Sequence, residues 1–198
     1  MPNFTDLTGL GGIALAVAAL CSLCVSRLQS GQSTLAQGLA VLGAALMLLP
    51  FGGLPLAAYV RGMIGDLSIT TLLMLAYAVG RRAACFPQAD APHRRASLWL
   101  LVLAACALYP LALGAGSYDP YRWGYGDPYF LLLLLVVALA GRAFRLPLVA
   151  PAICLAVLAW VLGWYESNNL WDYLLDPLLS IGAICALVRM IYRRQQHA

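Results

Sequence analysis

From Leu10 onward the sequence is a succession of long apolar runs, with almost all of its charge confined to the gaps between them. Ionised groups are expensive in an apolar medium, so this pattern restricts the chain to folds in which the runs and the gaps meet different solvents. Of 198 residues, 63% are hydrophobic and only 10% are charged. Soluble domains carry roughly 25% charged residues. Too little polar surface exists to cover a water-soluble core, so lipid is expected to be much of the solvent. The length suits about six or seven spans with short loops. A single integral membrane domain over residues 1–198 is therefore expected.

The runs are too long and too uniformly apolar for barrel strands, so the expected class is an all-α, polytopic transmembrane helical bundle. No positive residue precedes the first run, which reads as a retained span rather than a signal peptide. Span one is expected from Leu10 to Ser26, followed by a polar turn at Gln29 to Gln37 in which Thr34 and Gln37 fit a capping box. Span two is expected from Leu35 to about Tyr59. Pro50 and Pro55, with Gly52 and Gly53 between them, imply either a kinked span with a midplane site or an ordinary helix ending near Leu49. Span three, Leu67 to Gly80, is short and must borrow Arg61–Asp66 or Arg81, or be partly re-entrant. A polar loop with Pro87 and Pro92 covers Arg81 to Arg95. Span four then runs from Ala96 to Leu113.

The loop Ser117 to Asp127 leads into span five, Tyr129 to Ala140, with Asp127-Pro128 as cap and first helical residue and Arg142 and Arg145 at the far end. Span six is placed at Leu148 to Tyr165. Span seven begins at Asp172 or at Asp176-Pro177 and continues to Ile191.

Seven spans put the termini on opposite sides. One side then holds Arg27, Arg81, Arg82, Arg94, Arg95, Arg142, Arg145, Arg189, Arg193 and Arg194, and the positive-inside rule makes it cytoplasmic. The N-terminus is accordingly outside and the C-terminus cytoplasmic, in a cell inner membrane. Arginine supplies all the positive charge, and its scatter over helix ends gives no nucleic-acid footprint.

Six cysteines occur, mostly inside apolar runs, where cysteine behaves as a small hydrophobe. Cys21-x-x-Cys24 has the spacing of a redox or metal pair but lacks a second pair or a nearby histidine. The only histidines, His93 and His197, lie in cytoplasmic polar segments, which disfavours haem ligation, a zinc site and histidine-based acyl transfer outside. No nucleotide-binding glycine motif or serine-hydrolase elbow is present. Neither a cofactor nor a metal is expected.

The outer side collects Asp6, Arg61, Asp66, Asp119, Asp127, Glu166, Asp172 and Asp176. Three loops supply most of them: 60–67, 117–127 and 166–172. The plain reading is helix caps and an interfacial aromatic belt. Two parts resist it. Arg61 stands beside Asp66 in a segment otherwise suited to membrane depth. The 117–127 loop is also denser in aromatics, glycine and charge than a connector requires, and suits a compact lid.

Asp66, Asp119, Asp127, Glu166 and Asp172 are the candidate acids and bases, for glycosyl chemistry if a pair lies about 5–9 Å apart. Arg61, Arg122, Tyr118, Tyr121, Trp123, Tyr125, Trp164 and Trp171 are the candidate substrate- or partner-binding residues. Three functions are open. The first is a membrane subunit or scaffold that contacts another membrane or periplasmic protein through this outer face. The second is an outer-leaflet enzyme acting on a lipid-linked or glycan substrate. The third is a transporter or channel. Membrane lipid is an expected partner in each.

Overall fold

The computed structural model describes residues 4–28, 33–83, 85 and 90–195. The described residues are mostly helical, at 79%. Within the described residues the helices are α1 (Phe4–Leu28), α2 (Ser33–Leu48), α3 (Leu56–Ile64), α4 (Ile69–Arg82), α5 (Ala91–Ala112), α6 (Pro128–Ala143), α7 (Val149–Val161), α8 (Leu170–Leu174) and α9 (Pro177–Gln195), with a 3₁₀ segment at Pro120–Tyr125. A two-stranded antiparallel hairpin, β1 (Pro50–Phe51) and β2 (Leu54–Pro55), separates α2 from α3.

Among the described residues, two helices are long and apolar enough to cross a membrane, over Phe4–Ser26 and Pro92–Ala112. Four shorter helices are also apolar: Thr34–Leu48, Pro128–Ala143, Val149–Val161 and Pro177–Tyr192. Large side chains on their surfaces are exposed, including Leu132, Val136 and Leu139 on α6 and Ile181, Val188 and Ile191 on α9. All six cysteines are free. Cys21 packs where Gly43 lets α2 approach α1, and a methyl group at Gly43 would lie 3.1 Å from its sulfur.

Several boundaries differ from the sequence reading. For span two, the alternative of a helix ending near Leu49 holds, since α2 ends at Leu48, and a closed hairpin follows with Gly52 (φ +61°) and Gly53 (φ +95°) as its two-residue turn. Helix α5 begins at Ala91 rather than Ala96, so Arg94 and Arg95 are helical. Pro92 falls in its first turn, where its missing N–H is not needed. Helix α7 stops at Val161, short of Tyr165, and Gly163 (φ +61°) follows in the left-handed conformation that glycine tolerates best. Of the two starts offered for span seven, α9 takes Asp176-Pro177, and Asp172 belongs to the separate one-turn helix α8. Helix α2 starts at Ser33, which puts Thr34 inside its first turn. Residues 29–32, Pro87 and His197 lie outside the described residues, as do the side chains of Arg27, Arg193 and Arg194.

The contacts divide the chain into two compact units. The first comprises residues 1–67, 71–88 and 161–166. Its helices α1 and α2 pair, and α3 packs on both. Its core contains Ile13, Ala16, Ala57 and Leu67, with Leu10, Met47, Val60, Leu72 and Leu75 packed around them. The acidic residue of α1, Asp6, lies in its first turn. Near the other end, Arg82 donates hydrogen bonds to Leu23 O (2.7 Å) and to Ser26 Oγ.

The second unit comprises residues 68–70, 89–160 and 167–198. Helix α5 packs on α9, with Leu98, Leu101 and Val102 against Ala183, Leu187 and Met190. Its polar anchor is Asp176, which is 4% exposed. One carboxylate oxygen accepts from Leu179 N (2.7 Å) and caps α9. The other accepts from Ser68 N (2.9 Å) and Ser68 Oγ (2.8 Å).

Removing that carboxylate strands buried donors, which costs more than the bonds themselves contributed. Asp176→Ala is expected to lower stability by about 2–3 kcal/mol, read as a drop in thermal melting of the detergent-purified protein. Ser68→Ala, which removes only the hydroxyl, is expected to cost less than half as much.

Candidate functional site

Each unit carries its own polar assembly. In the first, the centre is Arg61. The hairpin turns the chain so that α3 starts at Leu56, and Tyr59 Oη donates to Phe51 O (2.8 Å), tying α3 to the hairpin. Gly65, at φ +77°, ends α3 and donates to Arg61 O (2.8 Å). A side chain strongly disfavours that conformation. The sharp reversal returns the Asp66 carboxylate to the guanidinium three residues after Met63. Arg61 Nε donates to Asp66 Oδ1 (2.7 Å) and Nη2 to Oδ2 (3.0 Å), a bidentate fork. Nη1 donates to Asp6 Oδ1 (3.1 Å), and Glu166 Oε1 stands 3.7 Å from Nη2. Three carboxylates thus surround one cation.

The Arg61 side chain is 16% exposed and that of Glu166 is 65% exposed. The Asp66 hydrogen bond raises the guanidinium pKa further, against the opposing effect of burial, so Arg61 is a permanent charge. Gly9 in α1 makes this packing possible. A β-carbon there would lie 2.8 Å from Arg61 Nε and closer still to Asp66 Oδ1. Trp164 belongs to the same unit: its ring meets Phe4 edge-on at 5.8 Å and its carbonyl accepts from Thr8 Oγ1.

In the second unit the 117–127 loop forms a compact platform on residues 167–173. Asp119 Oδ1 accepts from Tyr121 N (3.0 Å) and caps the 3₁₀ segment. Gly126 (φ +89°) ends it, and Asp127 Oδ1 accepts from Phe130 N (3.0 Å) to cap α6. Asn169 donates through Nδ2 to Tyr121 O (2.9 Å) while its Oδ1 accepts from Trp171 N (2.9 Å). Trp171 Nε1 donates to Pro120 O (3.0 Å). Tyr121 Oη reaches both Asp172 oxygens (3.0 and 2.9 Å), and Ser167 Oγ donates to Asp172 Oδ2. Gly124 lies against Asn169 and Trp171, where a β-carbon would be 2.9 Å from the indole Cδ1. Phe130 stacks at 4.5 Å on Trp171 and at 6.4 Å on Trp123, and Tyr118 packs edge-on against Trp123. Tyr118, Arg122, Trp123, Tyr125 and Tyr129 remain exposed.

The three loops 60–67, 117–127 and 166–172 therefore sort into two groups. The 60–67 loop gathers Asp6 and Glu166, and the 117–127 loop gathers Asp172 and Trp171. Asp119 and Asp127 serve as caps. Asp172 is held by two hydroxyls, and Asp66 by the arginine fork. Sequence reading missed Ser167 and Asn169, whose tie to Tyr121 spans 48 residues and leaves no local signal. Among the described residues, no group of three or more His, Cys, Asp or Glu side chains is arranged to hold a metal ion. The chain matches no family model, no curated protein and no solved structure.

Burial, and after it the neighbouring Asp172, raises the Tyr121 phenol above the ordinary value of 10.0. Above about pH 10 the unfolded chain releases this proton while the folded chain keeps it, so stability falls as pH rises. Melting temperature is expected to decline more shallowly above pH 10 in Tyr121→Phe than in the parent. Arg61→Ala is expected to cost about 2–3 kcal/mol by leaving carboxylates without their donor, and Arg61→Lys to recover only part, since an ammonium lacks the planar fork. Chemical denaturation in detergent reads both.

Proposed function

We propose that this chain is a multi-pass inner-membrane protein with seven spans, its N-terminus outside and its C-terminus cytoplasmic, serving as a membrane subunit or scaffold of a larger complex. Exposed leucine, isoleucine and valine on α6 and α9 support lipid as the surrounding solvent, because such surfaces are rare in water. Helix polarity supports the orientation. Asp6 opens α1, Asp127 caps α6 and Asp176 caps α9, whereas Arg142 lies in the last turn of α6 and Arg189 is near the end of α9. The shorter helices reach the thickness of the hydrocarbon layer only with their flanking residues, or by thinning the bilayer locally.

The observation that carries the docking reading is the platform at 117–130. Its polar groups are spent inward, on Asn169, Trp171 and Asp172, while Tyr118, Trp123, Tyr125 and Tyr129 face outward at 50%, 37%, 61% and 81% exposure. Aromatic side chains fixed in advance lose little entropy on binding, and such residues with an adjacent arginine, here Arg122, are the composition of protein-binding hot spots. The proposed partner is another membrane protein or a periplasmic one.

One observation favours the outer-leaflet enzyme as a second reading. Glu166 is the most exposed of the carboxylates around Arg61, and its ion-pair distance to the guanidinium among the described residues is 3.7 Å, which suits a general acid or base acting on a lipid-linked or glycan substrate.

The two readings separate by mutation. Under the docking reading, a Tyr125→Ala/Tyr129→Ala double variant keeps its melting temperature and loses a stoichiometric partner on gentle detergent extraction, while Glu166→Gln leaves the complex and the cellular phenotype intact. A monomer that turns over substrate unaided, with activity abolished by Glu166→Gln, would overturn it.

A further inference from the structure

The first unit contains a cavity of about 700 Å³ beside Arg61, between the first turns of α1, strand β2 and α3. Leu7 and Leu10 of α1, Leu54 of β2 and Ala58 of α3 form apolar walls, and Asp6 and Arg61 form a charged end. This volume lies within the range of small-ligand pockets. The walls suit a hydrocarbon chain, and the charged end defines what that chain must carry.

Around Arg61 the described side chains supply one positive charge against Asp6, Asp66 and Glu166. Among the described side chains the balance around Arg61 is negative, which disfavours an anionic headgroup with no cation of its own. An ammonium group has the complementary charge, with Asp6 on the cavity wall and the exposed Glu166 against the same guanidinium as its acceptors. Three of the five Arg61 N–H groups make hydrogen bonds to Asp6 and Asp66, which leaves Nη1 a second hydrogen for a phosphate oxygen.

We infer that this cavity binds a phospholipid with a primary ammonium headgroup, the ammonium on Asp6 and Glu166, the phosphate at Arg61 and the start of an acyl chain among Leu7, Leu10, Leu54 and Ala58. The inference rests on the membrane reading above and is independent of partner docking. A quaternary ammonium has no N–H to donate, and a glycerol headgroup has no cation, so both are poorer occupants.

Native mass spectrometry of the full-length, detergent-purified protein tests this with phosphatidylethanolamine, phosphatidylglycerol and phosphatidylcholine of identical chains. The expected result is preference for the ethanolamine lipid by about fivefold, the upper end for one partly exposed ion pair. Glu166→Gln, a surface change, is expected to reduce the preference, and Asp6→Asn/Glu166→Gln to erase it. Ala58→Trp, which fills the cavity, is expected to remove saturable binding altogether. Equal binding of the three lipids by the parent protein overturns the inference, as does a preference that survives Glu166→Gln and Ala58→Trp. Tyr125→Ala/Tyr129→Ala is expected to retain the lipid preference, so failure of the docking reading and failure of this one give different results.

Discussion

A polar group left without a partner is costly wherever water is scarce, and this chain has only eight carboxylates to distribute over its helix ends. Their use shapes the rest of the structure. Asp119, Asp127 and Asp176 each take the orphan N–H groups of a helix start, and Asp176 also satisfies Ser68, 108 residues away. Asp66 and Asp6 neutralise Arg61. Asp172 accepts hydrogen bonds from two hydroxyls and pins the platform loop. The same residues that finish secondary structure therefore also join segments distant in the chain.

Two glycines show how closely the ties depend on backbone approach. Gly9 lets α1 lie against the Arg61–Asp66 fork, and Gly124 lets the 3₁₀ segment lie against Asn169 and Trp171. Gly11 and Gly12 follow Gly9 in the same helix. Only Gly9 has something that a methyl group would strike. Gly12 is in ordinary contact range of Leu72, and Gly11 faces open space.

Local chemistry was legible where one short stretch contains the whole reason. Asp127-Pro128 and Asp176-Pro177 announce helix starts because cap and proline act within one turn. The prolines and glycines at 50–55 announce a break in the apolar run, and the hairpin that follows the end of α2 depended on strand register. The Arg61–Asp66 pair was visible because two opposite charges stand five residues apart in a segment otherwise suited to membrane depth. Asp172 was misleading for the converse reason: it resembles a cap beside a helix, and its partners are Tyr121 and Ser167, one of them 51 residues away.

The sequence alone determined the helical class, the apolar character of most of the chain and the placement of acidic and basic residues at opposite ends of the helices, because each follows from composition and short-range pattern. Only the tertiary structure decided which carboxylate meets which partner. It sent Asp6 and Glu166 to Arg61, and Asn169 to the 117–127 loop. Those choices depend on angles and distances between segments far apart in the chain, and a hydrogen bond or ion pair is decided by ångströms that no local residue pattern encodes.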